Sequence, residues 1–73
     1  MKRMPVESTT LRSVGYSKKN KILQLEFSSR EVYDYYEVPD YVYMGLMKAD
    51  SHGSYFNQEI KDHYNFTRLL NGH

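Results

Sequence analysis

Hydrophobic and polar side chains alternate along residues 22–28. Leu23, Leu25 and Phe27 share one parity, Gln24 and Glu26 the other. That period of two marks a strand with one buried face. Two flanking segments read the same way. Thr9 to Tyr16 is rich in strand-forming residues, but Leu11 is out of phase with Val14 and Tyr16, so a bulge is expected near Arg12-Ser13. Val32 to Val38 forms the third strand. Ser17-Lys18-Lys19-Asn20 and Ser29-Arg30-Glu31 are the turns between them. Pairing Phe27 with Tyr33 and Leu25 with Tyr35 makes one face apolar and leaves Gln24, Glu26 and Asp34 on the other. Tyr16 against Leu23 and Val14 against Leu25 extends the apolar face. A slip by one residue would bury Asp34 against Leu25, at a cost of several kcal/mol.

The period then lengthens. Pro39 suits the first turn of a helix, and Asp40 complements its positive end. Val42, Leu46 and Ala49 follow helical spacing, with Tyr43 and Met47 beside them. Asp50-Ser51-His52-Gly53 breaks that helix, and Ser54 is the expected N-cap of a second. Phe56, Ile60 and His63 line one side of it, and His63 is expected to be a half-buried structural residue. Phe66, Leu69 and Leu70 are expected to add a further helical turn, ended by Asn71-Gly72. Residues 1–7 carry no periodicity and are expected to fray, leaving one domain over residues 8–70. The fold class is α+β: a three-stranded antiparallel meander in order 1-2-3, followed by two or three short helices packed on one face.

Composition narrows the function classes. A chain of 73 residues has a thin stability margin, and without cysteine its core rests on aromatic and aliphatic side chains. Eight tyrosines and three phenylalanines supply much of that area. The net charge of +1 gives no bulk argument for nucleic acid or an anionic membrane. The opening Met-Lys-Arg-Met runs into Pro-Val-Glu-Ser-Thr-Thr rather than an apolar stretch, so no signal peptide is read. No segment is long enough to span a bilayer. A soluble, cytoplasmic protein is expected.

Four segments carry a further pattern: Ser13-Val14-Gly15-Tyr16, Leu23-Gln24-Leu25-Glu26-Phe27, Tyr33-Asp34-Tyr35-Tyr36-Glu37-Val38-Pro39 and Gly53-Ser54-Tyr55-Phe56-Asn57. In that order they resemble the KTSC domain, named for its occurrence at the C-terminus of some lysyl-tRNA synthetases. The resemblance covers roughly residues 8–64 and identifies the chain with a stand-alone form. Its tyrosine–any–tyrosine signature is matched by Tyr33 and Tyr35. Pro39, Gly53, Phe56 and Asn57 complete the motif set, and these residues are expected to be structural. Two positions depart from the pattern: Ser29-Arg30-Glu31, where relatives often place a glycine, and Gly45 inside the first helix. The resemblance implies no established activity. RNA binding, of a tRNA-like partner, is what fusion to a tRNA-charging enzyme implies.

The residues themselves offer four contact surfaces. Tyr33 and Tyr35 could stack on unpaired bases, but the register puts them under the helices as core. Tyr36 points to the open face, beside Asp34 and Glu26, an acidic setting that repels phosphate. Ser51-His52-Gly53-Ser54 could hold an anion on free amides at a helix start, with Asn57 in the first turn and Lys61 and Arg68 nearby. The alternative is an ordinary helix–helix turn with a serine cap. Lys18, Lys19 and Lys21 form a second basic cluster at a hairpin tip. Gly45 beside Tyr43, Met44 and Met47 reads either as an adaptable partner surface or as close packing of helix on sheet.

Chemistry is not expected. His52, His63 and His73 lack close ligand spacing, so no metal and no cofactor are inferred. No carboxylate pair sits in an apolar setting, and no nucleophile motif occurs. The leading expectation is a small non-catalytic binding module for RNA, using Lys18, Lys19, Lys21, Ser51, His52, Gly53, Ser54, Asn57 and Lys61. The alternative is a protein-interaction module or homo-oligomer, acting through an exposed sheet edge or the helix-one surface.

Overall fold

The computed structural model describes residues 1–70; Asn71-Gly72, the expected helix stop, and His73 lie outside them. Five strands form one antiparallel sheet in strictly sequential order: β1 (Met4–Pro5), β2 (Leu11–Ser17), β3 (Ile22–Phe27), β4 (Val32–Tyr35) and β5 (Phe66–Leu70). Between β4 and β5 come α1 (Asp40–Lys48), the single turn α2 (His52–Tyr55) and a π-type turn at Phe56–Ile60. The α+β class holds, but the three-stranded meander undercounts the sheet by a strand at each edge.

Each missed strand has a physical reason. β1 is two residues long and contains Pro5, which an edge strand tolerates because its missing amide faces no partner. The segment expected to fray is instead tied to β2, Met4 opposite Val14 and Pro5 opposite Ser13. Residues 66–70, read as a helical turn, are extended against β4, with Phe66 opposite Tyr35 and Arg68 opposite Tyr33. Phe66, Leu69 and Leu70 fall at helical spacing, and Phe-Thr-Arg-Leu-Leu carries no period of two to oppose it.

The bulge falls between Leu11 and Ser13, and Tyr16 pairs with Leu23 and Val14 with Leu25, all as expected. The second hairpin differs. Leu25 faces Tyr33 and Leu23 faces Tyr35, two residues from the expected register. Phe27 accepts from the Arg30 amide at 2.8 Å and donates to the Glu31 carbonyl at 2.9 Å. Those bonds close a three-residue loop whose last position is left-handed, with Arg30 at φ 75°. A shift of two preserves parity, so the expected faces survive it.

Helices cover one face only. Leu11, Val14, Leu23, Leu25 and Tyr35 from the sheet meet Val38, Val42, Leu46, Phe56 and Ile60 from above. Each buried aliphatic side chain contributes about 1.5–3 kcal/mol. Pro39 is the N-cap of α1 rather than its first helical residue. Ser51, not Ser54, caps α2, accepting from the Ser54 amide at 3.2 Å. Gly45 admits Tyr55: a Cβ there would lie 2.8 Å from the ring's Cζ. Its packing partner is thus a helix-two side chain rather than the sheet. His63, expected to be half-buried, is exposed because the helical stretch ends at Ile60.

The opposite face carries a polar lattice. Arg3 donates to Ser13 Oγ at 2.9 Å and to Gln24 Oε1 at 2.8 Å, and Gln24 donates to Asp34 Oδ1 at 3.0 Å. Ser13 donates to Glu26 at 2.8 Å. Residues 1–3 cross this face above Gly15, whose missing side chain leaves room for Arg3 Cγ and the Lys2 carbonyl. Among the described residues no helix is long and apolar enough to cross a membrane.

Candidate functional site

Tyr33 and Tyr35 alternate onto the helix-bearing face of β4, and β5 brings Phe66 beside both. Tyr33 and Phe66 have ring centroids 5.4 Å apart, as do Tyr35 and Phe66. Phe27 meets Tyr33 edge-on at 5.3 Å and Phe56 at 5.2 Å. Phe56 meets Tyr35 at 5.8 Å, and Tyr33 and Tyr35 lie nearly parallel at 6.3 Å. Five rings thus form one wall of a groove of about 420 Å³. That volume lies within the ~300–1,000 Å³ range of small-ligand sites.

The wall is graded in depth. Tyr35 and Phe56 are buried, Tyr33 and Phe27 half-buried, and Phe66 is 53% exposed at the mouth. Burial and the nearby Tyr33 and Asp62 charges push the Tyr35 phenol up to about 12. The rim is polar: Thr10, Ser28, Ser29, Glu31, Lys61 and Asp62. Glu31 is committed, accepting from Ser29 at 3.0 Å and pairing with Arg68 at 3.3 Å. Lys61 and Asp62 follow the π-type turn, closed by the Lys61 amide donating to the Phe56 carbonyl at 2.9 Å. Such turns are rare and gather at functional sites.

The residues expected to bind nucleic acid do not form one site. Lys18, Lys19 and Lys21 sit at the β2–β3 tip, where Lys18 lies 4.0 Å from Asp40. That tip is anchored to the start of α1: Val38 donates to the Lys21 carbonyl at 2.9 Å, and Tyr16 donates to the Val38 carbonyl at 2.6 Å. Ser51, His52, Gly53, Ser54 and Asn57 line a polar depression at the other end of β2 with Ser8, Thr9, Thr10, Glu7 and Asp50. β2 separates the two by roughly 20 Å, at about 3.3 Å per residue. Lys61 belongs to the aromatic groove.

At the Gly53 loop one of the amides an anion would use is taken. Ser51 Oγ already occupies the Ser54 amide, and two carboxylates share the depression. Gly53 is glycine because Thr10 approaches it, with Oγ1 2.5 Å from where a Cβ would stand. His52 Nδ1 and His63 Nε2 lie 2.8 and 3.0 Å from the carbonyls of Leu46 and Gln58.

The groove is not legible in the sequence, because Phe66, with Leu69 and Leu70, falls at helical spacing. The expected core placement of the tyrosine pair holds for Tyr35, while Tyr33 is half-buried and Phe66 reaches the surface beside it. No period-two signal in residues 66–70 marks Phe66 as a strand residue.

Comparison with known proteins gives a consistent result. The KTSC domain model matches residues 7–64. An uncharacterized protein of Stutzerimonas stutzeri is 46% identical over 70 residues, covering 94% of this chain and 99% of that protein. A lysine–tRNA ligase of Nostoc punctiforme is 36% identical over 63 residues, 86% of this chain but 11% of the ligase. The crystal structure of a KTSC domain protein from Yersinia pestis superposes with a TM-score of 0.92 at 30% identity, covering 94% of this chain and 97% of that one.

Proposed function

The chain belongs to the KTSC domain family, and on that premise we propose that it is a non-catalytic binding module for single-stranded RNA, acting in the cytoplasm. The observation carrying this reading is the aromatic groove of Phe27, Tyr33, Tyr35, Phe56 and Phe66. An unpaired base stacking on Phe66 and Tyr33 would find a flat apolar surface, and such stacking contributes about 1–3 kcal/mol per base. Arg68, held at the rim by its 3.3 Å pair with Glu31, would meet a flanking phosphate. The occurrence of a homologous segment in a lysine–tRNA ligase supports an RNA partner.

The test is an amide NMR titration with short single-stranded RNA. Shifts at Tyr33, Tyr35, Lys61, Asp62 and Phe66 support the reading. One phosphate-facing cation gives a shallow salt dependence, with a log–log slope of about −0.7. Unmoved groove resonances at low salt would overturn it, as would shifts confined to Lys18–Lys21.

One observation favours a second reading, a protein partner. β5 pairs only with β4 among the described residues, and Phe66 and Leu69 on it are 53% and 49% exposed. A partner strand could extend the sheet there. Size-exclusion chromatography and cross-linking separate this case, since a strict monomer that captures no peptide speaks against it.

A further inference from the structure

The groove carries more than a stacking surface. Asp62 lines it beside Tyr35, and among the described residues its carboxylate makes no hydrogen bond or ion pair. It lies near enough to contribute to the raised Tyr35 pKa. Glu31, the other carboxylate at the rim, is occupied by Ser29 and Arg68. Lys61 is the adjacent cation on the same rim.

Resting on the RNA reading above, we propose that the groove is selective for guanine, with Asp62 and Lys61 reading its Watson–Crick edge. A carboxylate only accepts hydrogen bonds, on two oxygens side by side. Guanine presents N1–H and the N2 amino group side by side, followed by the O6 acceptor. Asp62 fits the two donors and Lys61 fits O6. Adenine and cytosine set an acceptor ring nitrogen beside one amino group, so a carboxylate oxygen faces a lone pair. Adenine's amino group would also face the Lys61 ammonium. Uracil offers one N–H flanked by two carbonyls. The pattern on the rim, two acceptors and then a donor, complements guanine alone among the four.

The charge balance argues against a cationic side chain as occupant. Lys61 offsets Asp62, and Arg68 offsets Glu31, so the aromatic wall lacks the net negative rim that a cation would need. The π-type turn ahead of Lys61 and Asp62 is the backbone feature that shapes this rim.

The full chain is titrated with the RNA pentamers UUGUU, UUAUU and UUIUU, where I is inosine, which lacks the 2-amino group. UUGUU is expected to bind about 10-fold more tightly than UUAUU, with UUIUU between them. Asp62→Asn should erase that preference, weakening UUGUU and relieving the carboxylate's repulsion of the adenine N1 lone pair in UUAUU. Phe66→Ala should weaken all three alike. Asp62 is exposed, and an unchanged amide spectrum of D62N verifies its fold. Equal affinity for UUGUU and UUAUU would overturn the guanine assignment while sparing the RNA reading, as would a preference that survives in D62N. Binding of none of the three would overturn both.

Discussion

Phe66 faces Tyr35 across the β4–β5 ladder, with ring centroids 5.4 Å apart and planes tilted by 38°. The first side chain is mostly exposed and the second fully covered. Stability and binding are therefore separable at neighbouring positions.

Phe66→Ala should cost little folding free energy, about 0.5–1.5 kcal/mol for the lost aromatic contacts, read from a urea transition. Binding of single-stranded RNA should fall roughly 10-fold, one stacked base's worth. Tyr35→Ala should instead cost about 3–5 kcal/mol, as for other buried aromatics, and unfold much of the population.

Arg30 occupies a left-handed position at φ 75° in a three-residue hairpin loop. Replacing it with glycine removes steric strain of about 1 kcal/mol, part of which is offset by the greater freedom of glycine in the unfolded chain. Arg30→Gly should raise the urea midpoint, and Arg30→Val should lower it.

Alanine is the better helix former by about 1 kcal/mol, yet Gly45→Ala should destabilise the protein. The new methyl meets the Tyr55 ring, and overpacking typically costs about 1–3 kcal/mol. Tyr55→Leu in the same chain should recover part of the loss. Additive effects of the two substitutions in a double-mutant cycle would sink this account.

Burial raises the phenol of Tyr35 to about 12 from the ordinary tyrosine value of 10.0. The folded state therefore holds its proton more tightly than the unfolded state does. Stability from this group is full below pH 10 and is lost as the pH rises from 10 through 12. Tyr16, Tyr55 and Tyr64 are also raised by burial, so ultraviolet titration should show a late-ionising fraction that Tyr35→Phe shrinks, and Tyr35→Phe should flatten the alkaline decline in the urea midpoint.

The strands visible in the sequence were those whose side chains alternate over several residues. Leu23, Leu25 and Phe27 define β3, and the phase error between Leu11 and Val14 revealed the β2 bulge. β1 and β5 were hidden because a two-residue strand has no period and Leu69-Leu70 imitates a helix. The hairpin register was off by two because Arg30 adopts a conformation that residue type alone does not announce. The candidate site was only half legible: Lys61 was among its expected members, but the groove requires Phe66 to return beside Tyr33, a contact between residues 33 apart in sequence. The packing role of Gly53 was not legible because Thr10, which fills the space beside it, comes from a distant turn.

In the sequential order of this sheet, each strand pairs with the strand before it. Such local pairing favours rapid folding, and the first four strands can zip together from short hairpins. β5 must wait until α1, α2 and the π-type turn have formed, and it is held on one side only among the described residues. The mouth of the groove is thus the last part to assemble, and in the native state β5 should open most readily of the long strands. Amide exchange should reach Thr67–Leu69 long before Leu23–Leu25, and a ligand seated on Phe66 should slow the first set while leaving the second unchanged.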